Sequence, residues 1–167
     1  MASARLTKSM IAVGPMPDTF LTDSRKERLR AVLEKRQPDL TLVLNNIHDP
    51  HNVSAILRSC DGFGVLGVHL YYTKECFPAL ANSSSGSAKK WVELTRHTDA
   101  ARMIGSLRGQ GMQIIGTGFS ATAKPLMDWD FTKPTAIILG NEHRGMDPDV
   151  KCLVPDELYV PMFGMVQ

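Results

Sequence analysis

Apolar and polar residues follow two rhythms along this chain. After Pro50, Val53, Ile56, Leu57 and Cys60 recur at i, i+3, i+4 and i+7, the spacing of a helix with one face against a core. Asn52 stands where that helix is expected to begin, and Gly62 and Gly64 close it. The rhythm returns after Thr98, the expected cap, with Ala100, Met103, Ile104 and Leu107 inward and Gly109 and Gly111 at the end. A narrower stripe, Leu29, Val32 and Leu33, follows the capping-box pattern Ser24-Arg25-Lys26-Glu27 and predicts a helix over Arg25 to Arg36, stopped by Gln37-Pro38-Asp39. Its exposed face would carry Arg25, Lys26, Arg28, Arg30, Lys35 and Arg36. Between the helical stretches lie short, nearly continuous apolar runs: LTLVLNNI (40–47), GVHLYY (67–72), MQIIGTGF (112–119) and TAIILG (135–140). ELYVPMFGMVQ adds a last short strand and a loop. Such runs suit strands buried on both faces, so the alternation predicts an α/β domain, a mostly parallel sheet flanked by helices, with ligands expected at the carboxyl ends of the strands.

Composition narrows the class. With 167 residues, 43% hydrophobic and 22% charged, the chain matches one ordinary soluble domain. No apolar run approaches a membrane span and MASARLTKSMIAVG lacks a secretory signal's apolar stretch, so no membrane partner and a cytoplasmic location are expected. Cys60, Cys76 and Cys152 form no CxxC and are expected to be small buried residues rather than zinc ligands or disulfides. Net charge is +2, but residues 1–36 hold eight Lys/Arg against four Asp/Glu (+4), and the remainder eleven against thirteen (−2). A basic end suits an anionic partner such as RNA, but from charge alone a solvated charged helix is the favoured reading.

Three predicted strand ends run straight into glycine or polar residues: Thr117-Gly118, Gly140-Asn141-Glu142, and Pro161-Met162-Phe163-Gly164-Met165. If these ends are neighbours in the sheet, they line one crevice. Glycine would permit close backbone approach to a flat ligand, and Met and Phe would offer apolar contact to a purine. Neither GxxxxGK[ST] nor a GxGxxG after the first strand occurs, which removes support for Walker-type hydrolysis and an ordinary Rossmann site. His48 and His51 are separated by Pro50 and lack an evident third ligand, so loop histidines near a site, and no metal, are expected. Ser83-Ser84-Ser85 belongs to no GxSxG elbow, and the surrounding 81–90 stretch reads as a flexible tip in preference to a backbone that approaches a ligand closely. Asn52 alone is a helix cap and Arg58 alone a surface charge. Together, near a strand's carboxyl end, they could hold an anionic backbone beside the crevice.

HNVSAILR, GNEHRGM and VPMFGMVQ, in that order, resemble the three motifs of the SPOUT-class RNA 2′-O-methyltransferases of the SpoU/TrmH group. RQPDLT and GQGMQI resemble more narrowly the tRNA guanosine 2′-O-methyltransferase branch. The resemblance implies S-adenosyl-L-methionine as donor, a ribose 2′-hydroxyl of a tRNA guanosine (guanosine 18 of the D-loop) as acceptor, a homodimer, and a C-terminal trefoil knot. It implies two regions: residues 1–37, an N-terminal extension and basic helix for RNA contact, and residues 38–167, the methyltransferase domain. Because the family's third motif continues into a Ser-Leu-Asn segment and a long helix, a chain ending at Gln167 is expected to be C-terminally short, and the knot incomplete with it.

By motif, the resemblance assigns catalysis to Asn52, Arg58 and Glu142, and the cofactor pocket to Thr117, Gly118, Gly140, Val160, Pro161, Met162, Gly164 and Met165. Arg28, Arg30 and Arg36 would contact RNA phosphates. A guanidinium with a pKa above about 12 is a poor base at neutral pH. Two versions therefore stand: Arg58 is deprotonated transiently, or it stays cationic and stabilises the developing alkoxide while water or a phosphate oxygen takes the proton. Glu142 would orient Arg58, or merely sit as an acid at a helix start; Asn52 would anchor the Arg58 loop or the RNA backbone. Ribosomal RNA as substrate, and a noncatalytic RNA-binding module of the same fold, are the alternatives.

Overall fold

The computed structural model describes residues 22–78 and 91–164. The serine-rich stretch 81–90 and Met165 lie outside the described residues. The chain divides into two compact units, Met1–Lys35 and Arg36–Gln167.

In the first unit, α1 spans Asp23–Leu33 and buries none of its residues. It begins earlier than the capping-box reading predicted. Thr22 is the N-cap, without a side-chain cap bond, and Ser24 sits inside the first turn, where Asp23 supplies the acid that suits a helix N-terminus. Arg28 and Arg30 are exposed. Arg36 is not on this helix at all: its guanidinium donates to the Asp61 side chain and carbonyl, and its side chain is only 6% exposed.

The second unit is a seven-stranded, all-parallel sheet. Its strands are β1 (Gln37–Asn45), β2 (Val65–Tyr71), β3 (Glu93–His97), β4 (Gln113–Thr117), β5 (Lys124–Pro125), β6 (Thr135–Leu139) and β7 (Glu157–Tyr159), in spatial order β3-β2-β1-β6-β4-β7-β5. β1 starts three residues before the predicted run. Pro38, which has no N–H to donate, is accommodated because the β1–β2 register slips between Gln37 and Thr41. β3 and β5 were not anticipated: ELTRH is an edge strand without a buried residue, and β5 has two residues.

Among the described residues, three helices pack on this sheet. One core places α2 (Pro50–Phe63) against β1 and β2 through Val53, Leu57 and Cys60 on Leu44, Val68 and Leu70. The other places α3 (Ala100–Gly109) and α4 (Pro148–Leu153) with Val43, Ile114, Ala136 and Ile138, and here Ala100, Met103, Ile104 and Leu107 are inward as their spacing predicted. Gly64, at φ 79°, caps α2 in the left-handed conformation that glycine tolerates. The caps at the other ends differ from expectation. Asp99 rather than Thr98 caps α3, accepting from Arg102 N–H at 2.9 Å. Cys60 is buried, with its thiol pushed up to about 11 by burial, whereas Cys76 and Cys152 are exposed, contrary to the small-buried-residue reading.

Candidate active site

Because every strand runs the same way, the carboxyl ends of β1, β6, β4 and β7 stand side by side on one rim. The three glycine-bearing turns named from sequence follow β4, β6 and β7, so they are neighbours.

At the β1–β6 end the geometry is built by α2's start. Asp49, not Asn52, is the N-cap: its carboxylate accepts from His51 N–H at 2.8 Å, with Pro50 at the first helical position. His51 is therefore helical rather than a loop residue. Asn52, displaced into the first turn, has its side-chain amide available, and Nδ2 donates to Glu142 Oε1 at 2.7 Å. Glu142 also accepts from His48 N–H at 2.9 Å and from Asp49 N–H at 3.5 Å. Partial burial raises its pKa, but the Asn52 amide and these backbone donors outweigh that and hold the carboxyl at about 2. His48, Asp49, Pro50, Asn52, Glu142 and His143 line a hollow of about 440 Å³.

Arg58 is not part of that hollow. It lies six residues along α2 from Asn52, roughly 9 Å along the axis and two-thirds of a turn round, and it is exposed with no hydrogen bond or ion pair among the described residues. Glu142 therefore holds Asn52 and the β1–α2 loop, and does not orient Arg58 in this arrangement.

At the β4–β7 end, Val160, Pro161 and Met162 join Phe119 and Tyr159 around a second hollow, of about 420 Å³. Phe119 and Tyr159 meet with ring centroids 6.1 Å apart. Thr117 and Gly140 are brought together, Gly140 N–H donating to Thr117 Oγ1 at 3.3 Å. The glycines owe their places to this chain's own packing as much as to any ligand. A Cβ on Gly140 would lie 2.5 Å from the Gly145 carbonyl carbon, and one on Gly118 would lie 2.5 Å from Glu157 Oε2. Gly164 is exposed, with open space where a Cβ would be.

Residues that sequence reasoning missed hold this rim in shape. Glu157, 2% exposed, accepts from Ser120 N–H at 3.1 Å and pairs with Lys151 at 3.2 Å. Burial raises its pKa, but those partners prevail and leave it below the usual carboxylate range. Asn45, Asn46 and Asp147 form a buried cluster reached by Lys74 Nζ at 2.7 Å. Glu75 joins Arg144 at 2.8 Å and His48 at 3.5 Å. The available signal was the tandem Asn45-Asn46 at the end of an otherwise apolar strand. Two buried amides there require partners.

Comparison with known proteins agrees with this layout. The SpoU rRNA Methylase family model matches residues 39–167. The chain is 40% identical over 146 residues to a tRNA (guanosine(18)-2′-O)-methyltransferase of Thermus thermophilus, covering 87% of this chain and 75% of that protein. To a 23S rRNA (guanosine-2′-O-)-methyltransferase of Photobacterium profundum it is 32% identical over 139 residues, covering 83% of this chain and 56% of that one. The crystal structure of the Aquifex aeolicus TrmH/SpoU tRNA modifying enzyme superposes with a TM-score of 0.78 at 33% identity, over 86% of this chain and 73% of that chain. A parallel sheet with its polar turns gathered at one rim, and a family match across nearly the whole of that sheet, lead to one conclusion: the chain belongs to the SpoU rRNA methylase family.

Proposed function

We propose that this chain transfers a methyl group from S-adenosylmethionine to the ribose 2′-hydroxyl of a guanosine in tRNA, guanosine 18 of the D-loop. The observation that carries the reading is the pairing of an Asn52–Glu142 hollow with an apolar hollow on the same rim of a SpoU-family sheet. The tRNA assignment draws on the Thermus relative; an rRNA substrate, favoured by the Photobacterium relative, is the second reading.

The apolar hollow fits a cofactor with a flat base and a cationic centre. Phe119, Val160, Pro161 and Met162 offer carbon surface of a size suited to a nucleoside, and among the described residues no cation lines it. When bound there, S-adenosylmethionine supplies an electrophilic methyl group on a sulfonium. The chain's part is placement: Thr117 and Gly140 fix the turns, with Val160 to Met162 as one wall. At the other hollow, Glu142 remains ionised and locks Asn52, whose amide and neighbouring His48 present the polar face for a ribose and its phosphate. Across the transfer the ribose O–H bond and the donor's S–CH3 bond are lost, an O–CH3 bond is gained, the donor departs as its neutral thioether, S-adenosylhomocysteine, and the proton leaves to water or a phosphate oxygen. Arg58 serves in this scheme as a guanidinium donor and not as the base. Exposed and unpaired among the described residues, its guanidinium is available to the RNA backbone and, across the proposed homodimer rather than within its own chain's hollow, to the developing alkoxide.

Arg28 and Arg30, exposed on α1, grip phosphates; Arg36, already paired with Asp61, is withdrawn from that role. A homodimer, the trefoil knot and a cytoplasmic setting complete the proposal. Among the described residues no helix is long and apolar enough to cross a membrane, and no group of three His, Cys, Asp or Glu could hold a metal ion.

The test is transfer of labelled methyl to tRNA and to rRNA transcripts, with calorimetry against S-adenosylhomocysteine alongside. Label in tRNA supports the first reading and label confined to rRNA the second. Nucleoside binding without transfer to any RNA, or RNA binding without nucleoside binding, contradicts the proposal.

A further inference from the structure

We infer that Asn46 is the positioning residue for the acceptor side of the site, an inference that rests on the functional reading above. Asn46 is fully buried at the carboxyl end of β1, and it holds φ at 50°, the left-handed region that asparagine tolerates better than most residues. Every polar group it carries is used. Its N–H donates to the Tyr71 carbonyl at 2.8 Å, and its carbonyl accepts from Asn141 Nδ2 at 2.6 Å. Its side-chain oxygen accepts three successive backbone N–H groups, those of Thr73, Lys74 and Glu75, at 2.9, 3.1 and 3.1 Å. Its side-chain nitrogen donates to Asp147 and, at 3.3 Å, to Thr73 Oγ1.

Both routes out of this residue end on the hollow that holds Asn52. Through Asn141 it fixes the β6 turn: Asn141 Oδ1 accepts from His143 and Arg144 N–H at 2.9 and 3.1 Å, and the turn closes by paired bonds between Asn141 and Gly145. Glu142 is carried by that turn. Through the loop after β2 it fixes Glu75, whose carboxylate clasps Arg144 from one side and His48 from the other. Asn46 touches neither hollow, so it acts through Glu142 and Glu75. A substitution that loosens either carboxylate should misplace the acceptor while leaving the wall at Phe119 and Val160 intact. Displacement of a reacting group by about 1 Å is enough to cost on the order of 100-fold in rate.

Asn46→Gly keeps the backbone conformation and the carbonyl that accepts from Asn141, and removes every side-chain bond, those to the 73–75 loop and to Asp147; Glu75→Ala removes only the far end of the 73–75 route, from a partly exposed position, and leaves Asn46 in place. In both variants of the full chain, three readouts are compared with the unaltered protein: kcat for methyl transfer, the Kd for S-adenosylhomocysteine, and the NMR resonances of the Asn52 side-chain amide. The expected result is a fall in kcat of about tenfold or more for Asn46→Gly and less for Glu75→Ala, with nucleoside Kd within about twofold. The Asn52 amide signals should move in both variants while those of Gly118 and Phe119 stay. If Asn46→Gly does not fold, Glu75→Ala decides. Unmoved Asn52 signals, or a nucleoside affinity that falls in step with kcat, overturn the inference. Should the unaltered chain show no transfer, the functional reading fails and the Asn52 signals still test the positioning.

Discussion

Gly140→Ala separates two reasons for a glycine at the end of β6. The added Cβ would stand 2.5 Å from the Gly145 carbonyl carbon, 2.6 Å from Met146 N and 2.9 Å from the Gly145 oxygen, where ordinary contact begins at 3.4 Å. All three neighbours are backbone, so relief needs a shift of about 1 Å in the 145–146 segment rather than a rotamer change. Overpacking of this kind costs about 3 kcal/mol at the upper end of its range. For a chain of this size that corresponds to a fall in Tm of about 6–12 °C. The shift also drags Asn141 and Glu142, so methyl transfer should drop by about tenfold or more. Gly105→Ala is the control: it lies inside α3, where an added Cβ would meet nothing within 4 Å, and should stabilise by about 0.5–1 kcal/mol. Thermal unfolding by circular dichroism reads both variants. A Gly140→Ala protein as stable as the parent but deficient in nucleoside binding would refute the packing argument and assign the glycine to ligand approach.

Three further expectations follow from the same geometry. Glu142 is held at about 2 against an ordinary 4.5, so its contribution to stability is fully present above about pH 5 and is lost as pH falls toward 2; since the residue is exposed, the discounted size is about 1–2 kcal/mol, and Glu142→Gln should flatten the acid limb of a stability–pH curve by that amount. Arg58→Lys keeps charge but loses the planar fork, so kcat should fall by about 100-fold with little change in tRNA affinity, and near-normal turnover would remove Arg58 from the reaction. Glu157→Gln retains an acceptor for Ser120 N–H and should bind S-adenosylhomocysteine nearly as well as the parent, whereas Glu157→Leu should bind about tenfold more weakly by calorimetry; equal affinities would show that the 118–120 turn does not depend on this carboxylate.

What the sequence made legible was periodic. The stripes at Val53–Cys60 and Ala100–Leu107 and the apolar runs of β1, β2, β4 and β6 depend on burial, which leaves a repeating mark. β3 escaped because an edge strand with no buried residue has no such mark. Among candidate residues, Asn52 and Glu142 were named by motif and are in contact, but the nature of that contact depended on where α2 starts. With Asp49 as cap, the Asn52 amide turns to the carboxylate; with Asn52 as cap it would have been spent on its own backbone. The pairing of Arg36 was not legible because charge along a helix says nothing of a partner 25 residues on, here Asp61. Glu157 and Asp147 were invisible for a related reason, and the tandem Asn45-Asn46 signalled a need for partners without naming them. A buried polar residue is read from its partners, and those partners come from distant segments.

The most direct test of the central claim is mass spectrometry of nucleosides from tRNA treated with this protein and S-adenosylmethionine, coupled to mapping of the modified position. The expected product is 2′-O-methylguanosine at one D-loop guanosine. A methyl group on a base, or none on any ribose, would contradict it.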